Sequence, residues 1–264
     1  MRDTLYVTSF GLDFWKATSI FLLDSHRTSG THYPLLACYE GAIPFGSRKP
    51  AYVYDLAGDS FLQDWLIANH DVIPTHLGGL AEPCGCPNNH VRYARHAVGC
   101  HYSWMNRNAA RWFRKVVSWR YASQVLMPKI GARRMIWLDS DCLILRHMPE
   151  KTIDRCLRGT GMAYMYGGRH MPETGVVIFD TAAGGSEIIA AVCEHYRSGA
   201  FRHQPQWDDC WSLMTVLKAG GFAAADLVRH PESFSGNRVL PHTVLAKYFV
   251  HRHGTHGRRL NIVK

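Results

Sequence analysis

No apolar run in the 264 residues approaches the ~18 that a membrane-spanning helix needs, which excludes a polytopic membrane protein. The opening MRDTLYVTSF has an acidic residue at position 3 and no signal-type apolar block, so a soluble, cytoplasmic protein is expected. Internal repeats and low-complexity tracts are also missing, which removes solenoids and disordered tails from consideration. Acidic residues are scarce beside basic ones, 21 against 30, and the net charge of +9 favours anionic partners: nucleotides, phosphorylated glycans, nucleic acid or acidic membrane surfaces. The eight cysteines are scattered, several within apolar segments where a free thiol behaves as a small hydrophobe, and most are read as reduced.

With 47% hydrophobic and 19% charged residues, the chain can bury a substantial core as one domain, or one domain with a small appendage. TLYVTSF (4–10) is rich in β-formers, FWKATSIFLLDSH (14–26) has apolar residues at helical spacing, and PLLACYEG (34–41) is a second strand. Strand, helix, strand in that order implies a parallel sheet of an α/β protein. AYVYDLAG (51–58) reads as a third strand, and SFLQDWLIANH (60–70) as a helix with Ser60 as N-cap. From about 74 to 104 the periodicity gives way to Gly, Pro, Asn, Cys and His, the signature of a long loop or inserted subdomain. A long amphipathic helix follows at 107–129, with Pro128 marking its end.

Next comes MIWLDSDCLIL (135–145), which carries the chain's only Asp-x-Asp. Residues two apart on a strand share a face, and a turn at the strand's end brings both carboxylates onto one ion, with Ser140 pointing away. Two acids at the mouth of a buried strand repel each other, so a bound cation is the natural compensation. In open α/β sheets ligands lie outside the carboxyl ends of the strands, where Asp139 and Asp141 belong. A solvent-facing turn, or capping of the helix at MPEKTIDRCL, is the plain alternative.

From about residue 107 to 259 the chain resembles the metal-dependent nucleotide-sugar glycosyltransferases of the GT-A fold, in particular family 8, which includes glycogenin and bacterial galactosyltransferases. SWRYASQVLMPKIGARRMIWLDSDCLIL is similar to that family's arginine-bearing helix and Asp-x-Asp strand, ETGVVIFD (173–180) to its Asn-Ser-Gly-Val strand with Glu173 in place of Asn, and QWDDCWSLMTVLKAGGF (206–222) to the helix that begins with Gln-Asp. YFVHRHGTHGRR (248–259) is similar to the late strand whose histidine completes the metal site, without the following Lys-Pro-Trp. The resemblance implies a Rossmann-like, mostly parallel central sheet flanked by helices, a single GT-A domain over 1–264 with a Cys/His-rich insertion, and hexosyl transfer from a nucleotide-diphosphate sugar, a UDP-sugar, to an acceptor hydroxyl.

The implied metal ligands are Asp139, Asp141 and His251, with His253 on the same strand face as a second candidate. Carboxylates suit Mg²⁺ or Mn²⁺, and an added imidazole tilts the choice toward Mn²⁺. Arg120, Arg258 and Arg259 are candidates to neutralise pyrophosphate, and Ser140 lies between the paired acids. Asp208, Asp209 and Glu173 are the candidates for base or sugar-positioning carboxylate, although the Asp pair also suits a plain helix N-terminus. Thr8, Ser9 and Phe10 at the end of the first strand, and Asp55 at the end of the third, are placed to meet base and ribose.

CGCPNNHVRYARHAVGCH (84–101) could hold a structural Zn²⁺ through Cys84, Cys86, Cys100 and one of His90, His96 or His101, although Cys-x-Cys is tighter than common zinc modules; the alternative is a reduced or disulfide-linked loop that overlies the active site and helps to choose the acceptor. Arg92, Arg95 and Arg107 among Tyr93, Tyr102 and Trp104 would equally suit a polyanion or stacked base. Three rival functions follow. A sugar-phosphate nucleotidyltransferase would share the sheet and paired acids, but its glycine-rich first loop is absent from VTSFGLDFW. A nucleic-acid-binding module with an inactive GT-A-like core explains the charge and leaves the acids idle. A glycosyltransferase whose acceptor is nucleic acid, rather than a glycan, combines the two.

Overall fold

β1 (Thr4–Gly11), β2 (Leu35–Glu40) and β3 (Tyr52–Asp55) lie side by side in parallel. A helical stretch opens at Leu12, passes through a π-turn at Trp15–Ser19 and continues as α1 (Ile20–Thr28), which crosses from β1 to β2. The computed structural model describes residues 3–70, 108–167, 171–228 and 239–252. The insertion read at 74–104, with its zinc and polyanion candidates, lies outside them, as do His253, Arg258 and Arg259.

α2 (Ser60–Ala68) is capped by Asp59, whose Oδ1 accepts the Leu62 N–H at 2.8 Å. Ser60, expected as the cap, is therefore the first helical residue; Asp59 one position earlier has the extended backbone of a cap (φ −78, ψ 109) and its carboxylate takes the open N–H. α3 (Ala109–Tyr121) is followed by a π-turn, Ala122–Leu126, and a closing turn, Met127–Ile130. Pro128 does not end this helix: it occupies the first turn of the closing segment, and the stop is Gly131 in the left-handed conformation (φ +70).

β4 (Arg134–Leu138) enters the sheet beside β1, on the side away from β2. β5 (Cys142–Ile144) leaves it to pair with a strand formed much later, and α4 (Glu150–Leu157) leads to β6 (Met162–Met165). β7 (Glu173–Asp180) inserts antiparallel between β4 and β6; α5 (Gly185–Arg197), α6 (Asp209–Gly220) and β8 (Ala224–Asp226) follow. β9 (Phe249–His251) closes the two-stranded ladder with β5. The main sheet has seven strands in the order β3-β2-β1-β4-β7-β6-β8, with four parallel and two antiparallel neighbour pairs. The mostly parallel α/β sheet flanked by helices, expected from the sequence, is the architecture observed.

Strand periodicity sorts the core into two layers. Leu5, Val7, Met135 and Trp137 face α2, α3, α5 and α6. Tyr6, Ile136 and Leu138 face α1, α4 and the segment 239–249. β1 has β2 on one side and β4 on the other, so the chain's progress across the sheet reverses there, and the crevice beyond the carboxyl ends of β1 and β4 is the site that such topology leaves for a ligand.

Candidate active site

Just past β4 the backbone turns through residues 139–142, with Cys142 N–H donating to Asp139 C=O at 2.9 Å. The turn points the Asp139 and Asp141 carboxylates toward one imidazole. His251 pairs with Cys142 in the β5–β9 ladder, and its Nε2 lies 3.1 Å from Asp141 Oδ1 and 3.9 Å from Asp139 Oδ2. Ser140 projects elsewhere, with its hydroxyl 3.4 Å from that of Thr18.

The other ring nitrogen of His251 is 2.9 Å from Glu173 Oε1. Glu173 Oε2 accepts the backbone N–H groups of Val239 (2.7 Å) and Leu240 (3.2 Å), so this carboxylate is fixed at both oxygens. Beneath the ring is Gly175: a Cβ there would sit 2.4 Å from His251 Nδ1 and Cε1, so glycine is required for the imidazole to lie against β7. Burial works against a charged imidazole, but Asp141 and Glu173 outweigh it and hold the His251 pKa up at about 10.

Lys115 of α3 was not singled out from sequence. Its ammonium, only 5% exposed, lies 2.8 Å from Asp139 Oδ1 and 2.7 Å from Asp209 Oδ2, and donates to the Thr174 carbonyl at 2.9 Å. Burial disfavours the charge, yet Asp139 and Asp209 more than compensate and raise its pKa. Trp137 Nε1–H also donates to Asp139 Oδ1 at 2.8 Å, which leaves Oδ2 as the oxygen facing His251. Arg111, one turn before Lys115, feels the charges of Asp139, Asp141 and Asp209 and stacks on Phe14 at 4.9 Å. Its pKa is lowered because burial outweighs those charges.

The Asp pair of α6 divides its work. Asp208 caps the helix, accepting the Trp211 N–H at 2.8 Å, and burial together with neighbouring Asp209 pushes its pKa up to about 7. Asp209 is fully buried against Lys115, and its Oδ1 has no hydrogen-bond partner among the described residues.

The remaining described candidates make no hydrogen bond or ion pair with this cluster among the described residues. The Arg120 guanidinium bonds Asp59 Oδ2 at 3.0 Å and stacks on Phe61. Asp55 accepts the Ala57 N–H at 3.0 Å as a local cap. Thr8 is buried with no hydrogen-bond partner for its hydroxyl among the described residues, Ser9 is half-buried, and the Phe10 ring packs on Trp15 and Phe45.

The chemistry of the donors suits a hard divalent cation: Asp141 Oδ1 and, farther off, Asp139 Oδ2 face one imidazole nitrogen, and Glu173 orients the ring in the way that outer carboxylates orient metal-bound histidines. Cys142 also lies within reach of this group, but burial, with Asp141 and Asp139 nearby, pushes its thiol pKa well up, and its Sγ donates to Gly175 C=O.

No family model matches the chain, and no curated protein does. Solved structures do. A glycosyltransferase involved in glycosylation of the major capsid of PBCV-1 superposes with TM-score 0.47 and 12% identity over 94% of this chain and 92% of its own. Mouse xyloside xylosyltransferase 1 gives 0.45 and 13% over 85% of each. The glycosyltransferase GlyE of Streptococcus pneumoniae gives 0.43 and 11%, and the chain spans only 44% of that protein's length. Likenesses at this level assign no activity, so the functional reading rests on the site itself.

Proposed function

We propose that the protein is a glycosyltransferase that moves a sugar from a nucleotide-diphosphate sugar to an acceptor hydroxyl, with a divalent cation held by Asp139, Asp141 and His251. The observation that carries this reading is the approach of both carboxylates to the His251 imidazole beyond the carboxyl end of β4, with Glu173 behind the ring. In the reaction, the bond between the anomeric carbon and the phosphate oxygen breaks with its electron pair going to the nucleoside diphosphate. A bond from the acceptor oxygen to that carbon forms, and the acceptor's proton leaves to a carboxylate or to the departing phosphate. The cation would supply Lewis-acid stabilisation of the charge on the pyrophosphate, worth several kcal/mol.

The chain's own residues have distinct parts in this reading. Lys115 pairs with Asp139 Oδ1, which leaves the other oxygen turned toward His251, and it holds Asp209 in place. Asp209, with its unpartnered buried oxygen, is the carboxylate best suited to accept a donor-sugar hydroxyl. Glu173 acts through His251 as a positioning residue, and Asp208 as a helix cap. Arg111, beside the acids, is a better candidate than Arg120 for the pyrophosphate, since Arg120 is engaged by Asp59. Thr8, Ser9 and Asp55 remain the proposed ribose and base contacts. Mn²⁺ is the expected cation because the donor set mixes oxygen with imidazole.

Incubation with a panel of nucleotide sugars and Mn²⁺ tests this, scoring nucleoside diphosphate release. Slow hydrolysis of one donor, abolished by chelator and by Asp141→Ala, is the expected result. Failure of every donor both to bind and to be cleaved would contradict it.

A further inference from the structure

Between α4 and the segment 239–249, on the sheet face opposite α3, lies a cavity of about 350 Å³ that none of the proposed catalytic residues lines. Its wall carries Arg155, Arg158, His242 and Lys247, with Thr152, whose hydroxyl accepts from Arg155 at 3.3 Å, and Thr243, whose hydroxyl donates to the Leu240 carbonyl at 2.9 Å. No carboxylate lines it among the described residues. Arg155, Arg158 and Lys247 are exposed and make no ion pair among the described residues, so three full positive charges line one hollow with no counter-charge from those residues. Mutual repulsion of this kind is relieved by a bound anion.

Arg158 adds an independent sign. It closes α4 in the left-handed conformation, φ 52 and ψ 33, and is the one non-glycine residue with positive φ among those described. Helix ends of this form normally take glycine, for which the conformation is free of the Cβ clash. A strained position held by an arginine at a cavity rim points to use of its side chain.

We propose that this cavity binds a small phosphomonoester of about hexose-phosphate size. The guanidinium groups match phosphate oxygens in fork geometry, and three cations balance a dianion better than a carboxylate's single charge. The cavity falls in the ordinary range for small-molecule sites. The acidic cluster of Asp139, Asp141 and Asp209 offers such an anion no competing home in the absence of metal. The site does not depend on the proposed sugar transfer.

Calorimetric titration with glucose 6-phosphate, and with glucose, at constant chloride and without divalent metal, tests the site. The ester is expected to bind one per chain and glucose to give no heat. Arg158→Gly and Lys247→Ala should each weaken the ester by about tenfold or more, the scale of one charge-assisted hydrogen bond, whereas Asp141→Ala should leave it unchanged. Arg158→Gly also relieves the backbone and should raise the melting temperature, so its lost binding cannot reflect unfolding. Absence of ester binding at millimolar concentration, equal binding in the Arg158 and Lys247 variants, or loss of binding in Asp141→Ala would each overturn the proposal.

Discussion

Gly175 and Glu173 hold His251 from two sides, one by having no side chain and the other by accepting its N–H. Gly175→Ala should displace the ring while the strand persists, and Glu173→Ala should lower Mn²⁺ affinity by about 10–100-fold, the usual effect of removing such an outer carboxylate; calorimetric Mn²⁺ titration reads both. Asp208 gives a pH test of a different kind. Its folded pKa of about 7 lies above the ordinary carboxylate value, so between those values the folded state binds more protons than the unfolded one, and stability falls as pH rises through that window. Asp208→Asn keeps the cap and removes the penalty, so its gain in melting temperature should be larger at pH 8 than at pH 5.5. An equal gain at both pH values would contradict the assignment.

At this scale the approach of Asp139 and Asp141 to His251 was legible because Asp-x-Asp and a late histidine are short patterns with a chemical reason. Lys115 was not. A lysine in RWFRKVVSWR reads as part of the polar stripe of an amphipathic helix, and the only hint of burial is that Trp112 and Trp119 share its side at i−3 and i+4. Glu173 was read as a candidate base because a carboxylate's partners depend on a strand 78 residues away.

Among the elements, α3 and its π-turn decide where Lys115 and Arg120 point. The same helix sends Lys115 into the acidic cluster and Arg120 toward Asp59, which also accepts the Tyr54 hydroxyl at 2.7 Å and caps α2. Asp59→Ala would strip three groups of a shared acceptor and leave Arg120 unpaired, so a loss of about 3–5 kcal/mol is expected in urea denaturation. If Arg120 served the pyrophosphate instead, Arg120→Ala would reduce donor affinity in proportion to activity while sparing stability. β1, β2, β3 and the helices between them could be read locally, since each has its own periodicity. The antiparallel entry of β7 and the β5–β9 ladder could not, because the direction and partner of a strand are settled by contacts remote in sequence.

For the molecule as a whole, the reversal point between β1 and β4 gathers the acids at one edge, while the cationic cavity opens beside α4. The two proposed sites are thus separate and opposite in charge, so divalent metal should matter at the first and not at the second. Among the described residues no helix is long and apolar enough to cross a membrane.

The claim at the centre is that Asp139, Asp141 and His251 seat a divalent ion. Electron paramagnetic resonance of Mn²⁺ in the presence of uridine diphosphate measures it directly. The free-ion signal should fall by one equivalent per chain with the unmodified protein and stay intact with Asp141→Ala or His251→Ala; an undiminished signal with the unmodified protein, or equal loss in all three, would contradict it.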